Sequence, residues 1–461
     1  MSFSDYKIWS FLILTVVLLG SLLVGNILKR LIPFLRKSLI PTSVLGGLIL
    51  LIVSAIFRWT TGNSLFESEI FGENGIETLE VITYHALALG FIASTFKPSK
   101  GKFTKKRALE IFDSGVTTVS TYLLQAIFGL GITLIVALIL PNFFEAAGIL
   151  LPFGFGQGTG QAMNYGFIYQ DKYGFTGGKS FGLAIAALGF LSASIGGVIH
   201  LNIAKRRGKL PASVNTSDRF TGAIETENEI PMQESVDKLT VQIALIVLAY
   251  CLTYLMMWGL SALIPSMAST IYGFNFLLGV ISATLIKLVM NLLKKIKVIK
   301  RDYINDFLMT RTSNFFFDIM VVAGVAAISI ETLENYLGIL LILGVVGLVI
   351  TYVYNRIVAK VLFPEYEQEQ FLVMYGMLTG TASTGIILLR EVDKNFETPA
   401  ADNLVYQTLP AIVFGFPMML LATFAPKQPY WTLAILVAFF LVMNVILFRT
   451  KIFRRRKPSA K

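Results

Sequence analysis

The sequence predicts an all-α polytopic membrane protein, and two observations support this fold class. Hydrophobic residues make up 55% of its 461 residues and charged residues only 15%, compared with about 25% charged residues in soluble domains. The apolar residues also occur in runs long enough to cross a hydrocarbon core as helices. A run such as 11–27 is almost continuously apolar, whereas the strands of a membrane β-barrel alternate apolar and polar residues over short segments.

We predict membrane-spanning helices wherever such runs occur. Their approximate bounds are 8–28, 38–57, 77–96, 108–140, 180–204, 237–264, 270–293, 308–330, 335–359, 402–425 and 430–448. Two further stretches, about 146–170 and 370–390, are apolar but rich in Gly, Thr and Ser. Such stretches are typical of re-entrant segments, which enter the membrane and return to the same side.

The loops between these runs indicate an orientation. Basic residues cluster at 29–37, 97–107, 205–209 and 294–301. All four loops lie on one side if the N-terminus is outside, and cytoplasmic loops carry the excess of Lys and Arg. With an N-terminus outside, the eleven predicted spans place the basic tail, 449–461, in the cytoplasm. The net charge of +11 is therefore explained by orientation in the membrane, and we predict no binding of nucleic acid.

The most polar stretch, 205–236, divides the chain almost in half, and we interpret it as a cytoplasmic linker. The first half, 1–204, then begins outside and the second, 237–425, begins inside, which is the topology of an inverted repeat. The run at 430–448 is an additional helix. An offset of 222 residues pairs Gly158 with Gly380 and Thr159 with Thr381, which supports the repeat.

The two Gly-rich segments are the predicted substrate site. They read LPFGFGQGTGQAMNYGFIYQD from Leu151 and MYGMLTGTASTGIILLREVD from Met374. A backbone break at membrane depth must be buried in protein or line a wet cavity. The half-helix after each break favours an anion, and the unwound carbonyls can coordinate a cation. The predicted substrate-binding residues are Gly156, Gln157, Gly158, Thr159, Gly160, Gly380, Thr381, Ser383 and Thr384.

Polar side chains within the predicted spans are candidates for ion binding. Arg311, Asn314 and Asp318 fall near one helix face. Either Asp318 binds a cation or a substrate ammonium group together with Asn314, or it pairs with Arg311 and holds the helix in place. The candidate sodium ligands are Asn164, Asn314 and Asp318.

Four motifs occur in order across the first half: Ile-Pro-x-x-Val-x-Gly-Gly-Leu at 40–48, Gly-x-Gly-Thr-Gly at 156–160, Tyr-Gly-Phe-Thr at 173–176 and Ile-Gly-Gly at 195–197. In these motifs the chain resembles the bacterial sodium-dependent glutamate carriers. The resemblance implies two inverted five-helix repeats with one re-entrant segment each, a homodimer, and substrate contact at the 156–160 motif. Gln157 replaces a histidine common in that family, and the segment from Leu378 departs from the family's Gly-rich, proline-containing pattern.

We therefore predict sodium-coupled symport of glutamate or a similar small carboxylate by alternating access. The carrier would lie in the inner (plasma) membrane, with lipid and the organic anion as its partners and sodium as its coupling ion. The alternatives are a sodium- or proton-coupled carrier of another organic anion, such as a hydroxy acid or dicarboxylate, and a channel. An enzyme and a cofactor are not predicted, because the sequence has one Cys and two His and lacks HExxH and Walker A motifs.

Overall fold

We describe a computed structural model of the chain, covering residues 6–97, 104–207, 236–393 and 397–452. These residues confirm the all-α class, and no β-strand occurs among them. Most of the predicted linker, 208–235, and the end of the basic tail, 453–461, lie outside the described residues.

Fourteen longer helices carry the fold, numbered here in chain order. They are α1 Tyr6–Leu31, α2 Thr42–Thr61, α3 Gly75–Phe96, α4 Lys105–Ile139, α5 Leu150–Tyr173, α6 Gly178–Arg206, α7 Lys238–Leu263, α8 Asn275–Lys295, α9 Asp306–Ala326, α10 Leu337–Leu362, α11 Glu367–Thr379, α12 Ala382–Arg390, α13 Thr408–Phe424 and α14 Pro429–Leu447. Short helices at Pro33–Lys37, Ala268–Gly273, Ile330–Leu333, Ala400–Tyr406 and Arg449–Ile452 connect or extend them.

Within the described ranges, nine helices are long and apolar enough to cross a membrane, or ten if the bent pair Ala400–Tyr406 and Pro410–Phe424 forms one span. We predicted eleven spans. The stretch predicted at 308–330 is helical, as α9, but it is not among the nine. Its polar residues lower its hydropathy. The chain is thus a multi-pass membrane protein.

The chain divides into two compact units, and each contains helices from both halves of the sequence. The first unit comprises Met1–Ile27, Thr42–Lys102 and Ala212–Ala327. In it α9 packs against α2 and α3, and α8 packs against α3 and α7. Small residues permit the close approach, since a Cβ atom at Gly47 would lie 2.6 Å from the Cβ of Val325.

The second unit comprises Leu28–Pro41, Phe103–Pro211 and Ile328–Lys461. The long helix α4 contacts α5, α10, α13 and α14, while α6 packs against α5, α10 and α11. The additional helix α14 is tied to α4 where it ends, because Arg449 donates a 2.7 Å hydrogen bond to the Asp113 carboxylate. Both Gly-rich segments belong to this second unit.

Candidate functional site

The first Gly-rich segment, α5, is a helical hairpin with its tip at Gly158. The Gly158 backbone is non-helical, with φ 80° and ψ −172°, a region that essentially only glycine adopts. The rings of Phe153 and Tyr165 stack with their centroids 3.8 Å apart. In a straight helix, residues twelve positions apart would be separated by about 18 Å along the axis. The segment before Gly158 therefore folds back beside the segment after it.

The second Gly-rich segment is also a hairpin, formed by α11 and α12. The two helices pack side by side, and a Cβ atom at Gly376 would lie 2.8 Å from the Cα of Gly385. The chain reverses at Gly380 and Thr381, between the end of α11 and the start of α12. Thr381 is the N-cap of α12, since its side-chain oxygen accepts a hydrogen bond from the backbone N–H of Thr384 at 3.4 Å.

The two tips approach each other around Gly189 of α6. A Cβ atom at Gly189 would lie 2.6 Å from the Thr379 carbonyl oxygen, beside the second tip, and 3.1 Å from the Cα of Phe155, three residues before the first tip. Only glycine leaves room for α6 to touch both hairpins at this level. The second unit therefore brings together the two breaks that lie about 220 residues apart in the sequence.

The predicted substrate-binding residues lie at these two tips. Gly156, Gly158, Thr159 and Gly160 are buried at the first tip. Among the described residues neither polar atom of the Gln157 amide has a hydrogen-bond partner, although both are buried. At the second tip, Gly380, Thr381 and Thr384 surround the chain reversal, with the Thr381 and Thr384 hydroxyl oxygens 3.3 Å apart. The Ser383 side chain lies outside what the structure describes.

The candidate sodium ligands are divided between the two units. Asn164 lies in the second unit, on the hairpin arm after the first tip, and its Nδ2 donates to the Gln161 Oε1 at 3.0 Å. Asn314 and Asp318 lie in the first unit, on an exposed face of α9. The Arg311 guanidinium lies 5.2 Å from the centroid of the Phe307 ring.

A buried polar cluster between α4 and α10 was missed by the sequence analysis. Its members, which we call the amide cluster, are Thr121 and Gln125 of α4 and Thr351 and Asn355 of α10. Each side chain is at most 2% exposed. The Gln125 Nε2 donates to the Thr351 Oγ1 at 2.8 Å, and the Asn355 Nδ2 donates to the Thr121 Oγ1 at 3.3 Å. The two helices thus exchange equivalent hydrogen bonds.

A signal for the amide cluster is present in the sequence. The pattern Val-x-Thr-Tyr occurs at 119–122 and again at 349–352, an offset of 230 residues, and an amide residue follows each Tyr by three positions. The offset lies close to the 222 residues that relate the two Gly-rich segments. Comparing the helices that precede these segments would have identified Gln125 and Asn355 as equivalent positions.

Helix α4 also holds the backbone of both hairpins. The Tyr122 hydroxyl donates to the Gly156 carbonyl oxygen at 2.9 Å, two residues before Gly158. The Gln125 Nε2 donates to the Leu378 carbonyl oxygen, also at 2.9 Å, two residues before Gly380. In each hairpin, the carbonyl two residues before the break is thus fixed by a side chain of α4, and the two side chains lie one helical turn apart. The described residues contain no group of three or more His, Cys, Asp or Glu suited to a metal ion.

In a comparison with known protein families, the chain matches one family model. Residues 7–397 match the family model of the sodium/glutamate symporter. The match includes both hairpins and the amide cluster, while α13 and α14 follow it. None of the curated proteins compared with the chain matches it.

Proposed function

Because the chain belongs to the sodium/glutamate symporter family, we propose that it takes up glutamate or a similar small carboxylate together with sodium, by alternating access. Membership of this family confirms the predicted resemblance and makes the chain a sodium-coupled membrane transporter. The choice of substrate and the alternating-access cycle are our proposal.

The observation that carries the proposal is the meeting of the two hairpin tips around Gly189. The half-helices that follow Gly158 and Thr381 turn the positive ends of their dipoles toward the tips, which favours a carboxylate. The carbonyl groups at the same breaks favour a cation. We assign the substrate to residues 156–160 and to Gly380, Thr381, Ser383 and Thr384. Asn164, on the arm next to the first tip, is the candidate sodium ligand in this unit.

We also propose that the two halves are inverted repeats with re-entrant hairpins. The equivalent breaks at Gly158 and Gly380 support this assignment, as do the reciprocal hydrogen bonds of the amide cluster, since a two-fold relation produces pairs of equivalent contacts. An N-terminus outside, a cytoplasmic C-terminus, an inner-membrane location and a homodimer belong to the same proposal. Alternating access in such folds is a movement of one helix bundle relative to the other.

Uptake of labelled glutamate into proteoliposomes tests the proposal. We expect saturable accumulation with an inward sodium gradient and none when potassium replaces sodium. Accumulation driven by a proton gradient alone would instead favour the proton-coupled alternative, and flux without saturation would favour a channel. Failure of glutamate to compete with another carboxylate that is taken up would reassign the substrate.

The roles of individual residues require variants in the same assay. Thr159→Ala should raise the KM for substrate or sodium while the amount of folded protein stays constant. Asp318→Asn distinguishes the two interpretations of that residue. If Asp318 is a ligand for a cation or for the substrate ammonium, the variant weakens sodium or substrate affinity. If both affinities remain unchanged, Asp318 is structural.

A further inference from the structure

The amide cluster leaves two buried carbonyl oxygen atoms without a partner. They are the Oε1 of Gln125 and the Oδ1 of Asn355, and neither accepts a hydrogen bond within the described part of the chain. Gln125 is fully buried and Asn355 is 2% exposed. A buried amide oxygen without a donor or a cation is costly. Two such oxygens in one cluster therefore point to a bound ligand.

The orientation of both amides follows from their surroundings. The Gln125 nitrogen faces the Leu378 carbonyl oxygen at 2.9 Å, and the Asn355 nitrogen faces the Thr351 carbonyl oxygen at 3.0 Å. A backbone carbonyl can only accept a hydrogen bond. Turning either amide over would place two acceptors against each other, so the unpartnered atoms must be the oxygens.

The chemistry of these oxygens selects a small hard cation. Amide and hydroxyl oxygens are hard ligands, which suit alkali and alkaline-earth ions. Most transition metals prefer nitrogen or sulfur ligands. The cluster contains no carboxylate, so its neutral oxygens match a monovalent ion better than a divalent one. In a transporter whose proposed function is coupled to sodium, sodium is the ion available to it.

We propose that the amide cluster is a sodium site and that Gln125 transmits its occupancy to the tip of the second hairpin. This inference rests on the proposed function. The sodium ligands are the Gln125 Oε1 and the Asn355 Oδ1, and the neighbouring Thr121 and Thr351 hydroxyls hold the two amides in place.

The coupling follows from the two roles of the Gln125 amide. Its oxygen binds the ion, and its nitrogen donates to the carbonyl of Leu378, two residues before Gly380. A cation on the oxygen polarises the amide and strengthens the hydrogen bonds that its N–H groups donate. Sodium thus stabilises the second tip in the conformation seen here. By linkage, a substrate that needs this tip conformation raises the affinity for sodium by the same factor as sodium raises the affinity for substrate.

The test measures sodium binding directly, without transport. The thermal midpoint of the purified full-length protein is followed during a sodium titration at constant ionic strength, with potassium as the replacement ion, first without and then with glutamate. The wild type should show a saturable rise. Gln125→Met and Asn355→Leu keep the side-chain volume and remove one ligand each, so the half-saturating sodium concentration should rise about tenfold or more.

Two further variants make the result specific. Asn275→Leu is the matched control, because Asn275 is a fully buried amide of the first unit whose Oδ1 also has no hydrogen-bond partner among the described residues. Its sodium response should equal that of the wild type. Asn355→Asp adds a carboxylate at the proposed site and should lower the half-saturating sodium concentration several-fold, which also provides a readout if Asn355→Leu does not fold.

The outcomes separate this inference from the proposed function. If the wild type responds to sodium and the Gln125 and Asn355 variants respond identically, the amide cluster is structural and only this inference is overturned. If the wild type does not respond to sodium even with glutamate present, the proposed function fails as well. If glutamate lowers the half-saturating sodium concentration in the wild type but not in Gln125→Met, the coupling to the second tip is confirmed.

Discussion

Gly158→Ala is the most direct perturbation of the first hairpin tip. The Gly158 backbone has φ 80° and ψ −172°, and an added Cβ collides with the neighbouring backbone in this region whatever space surrounds it. The substitution therefore acts on the tip conformation itself. It adds one methyl group and leaves the charge and the hydrogen-bonding groups of the tip unchanged.

The expected magnitude follows from the backbone conformation. A non-glycine residue in this region costs about 1–3 kcal/mol. Because each 1.4 kcal/mol is a factor of ten, the population of the tip conformation falls roughly 5- to 140-fold relative to its alternatives. If substrate binds only the tip conformation seen here, the apparent affinity falls with the fraction of protein in that conformation, by at most the same factor.

The assay is sodium-driven glutamate uptake in proteoliposomes, together with the thermal midpoint of the purified protein. We expect the KM for glutamate to rise within the range above. Gly131→Ala is the matched control, because it makes the same substitution in the helical part of α4, where an added Cβ meets no heavy atom within 4 Å. It should leave the KM unchanged and stabilise the helix by up to about 1 kcal/mol. An unchanged KM and midpoint in Gly158→Ala would refute the assigned tip conformation.

Three further substitutions test the packing and the caps. Thr381→Ala removes the N-cap of α12 and should cost about 0.5–1 kcal/mol, measured as a lower thermal midpoint and a higher KM for substrate. Gly47→Ala places a Cβ 2.6 Å from that of Val325, so overpacking should cost about 1–3 kcal/mol of stability; an unchanged midpoint would contradict this contact. Arg449→Met removes the cation paired with the carboxylate of Asp113, which is only 9% exposed. The loss should be about 1–3 kcal/mol, and Asp113→Asn in the same background should recover part of it.

The sequence by itself determined the class of this protein and the location of its breaks. Runs of apolar residues identify membrane helices because the thickness of the hydrocarbon core sets their length. Breaks were predicted within the two Gly-rich segments because the conformational freedom of glycine is a local property of the backbone. The order of four short motifs was sufficient for the family, which the match over residues 7–397 confirmed. The predicted count of eleven spans exceeds the nine or ten found among the described residues, because the polar residues of α9 lower its hydropathy.

Only the tertiary structure decided which helices and hairpin tips contact each other, and through which residues. Nothing local indicates that the two tips approach each other at Gly189, or that helices from both halves of the chain form each compact unit. The amide cluster is the clearest case, since the hydrogen bond from Gln125 to Thr351 joins positions 226 residues apart. A buried amide on an apolar helix has the same sequence pattern whether its oxygen has a partner or not. That difference depends on the side chains that the neighbouring helix places beside it, which is a property of packing in three dimensions.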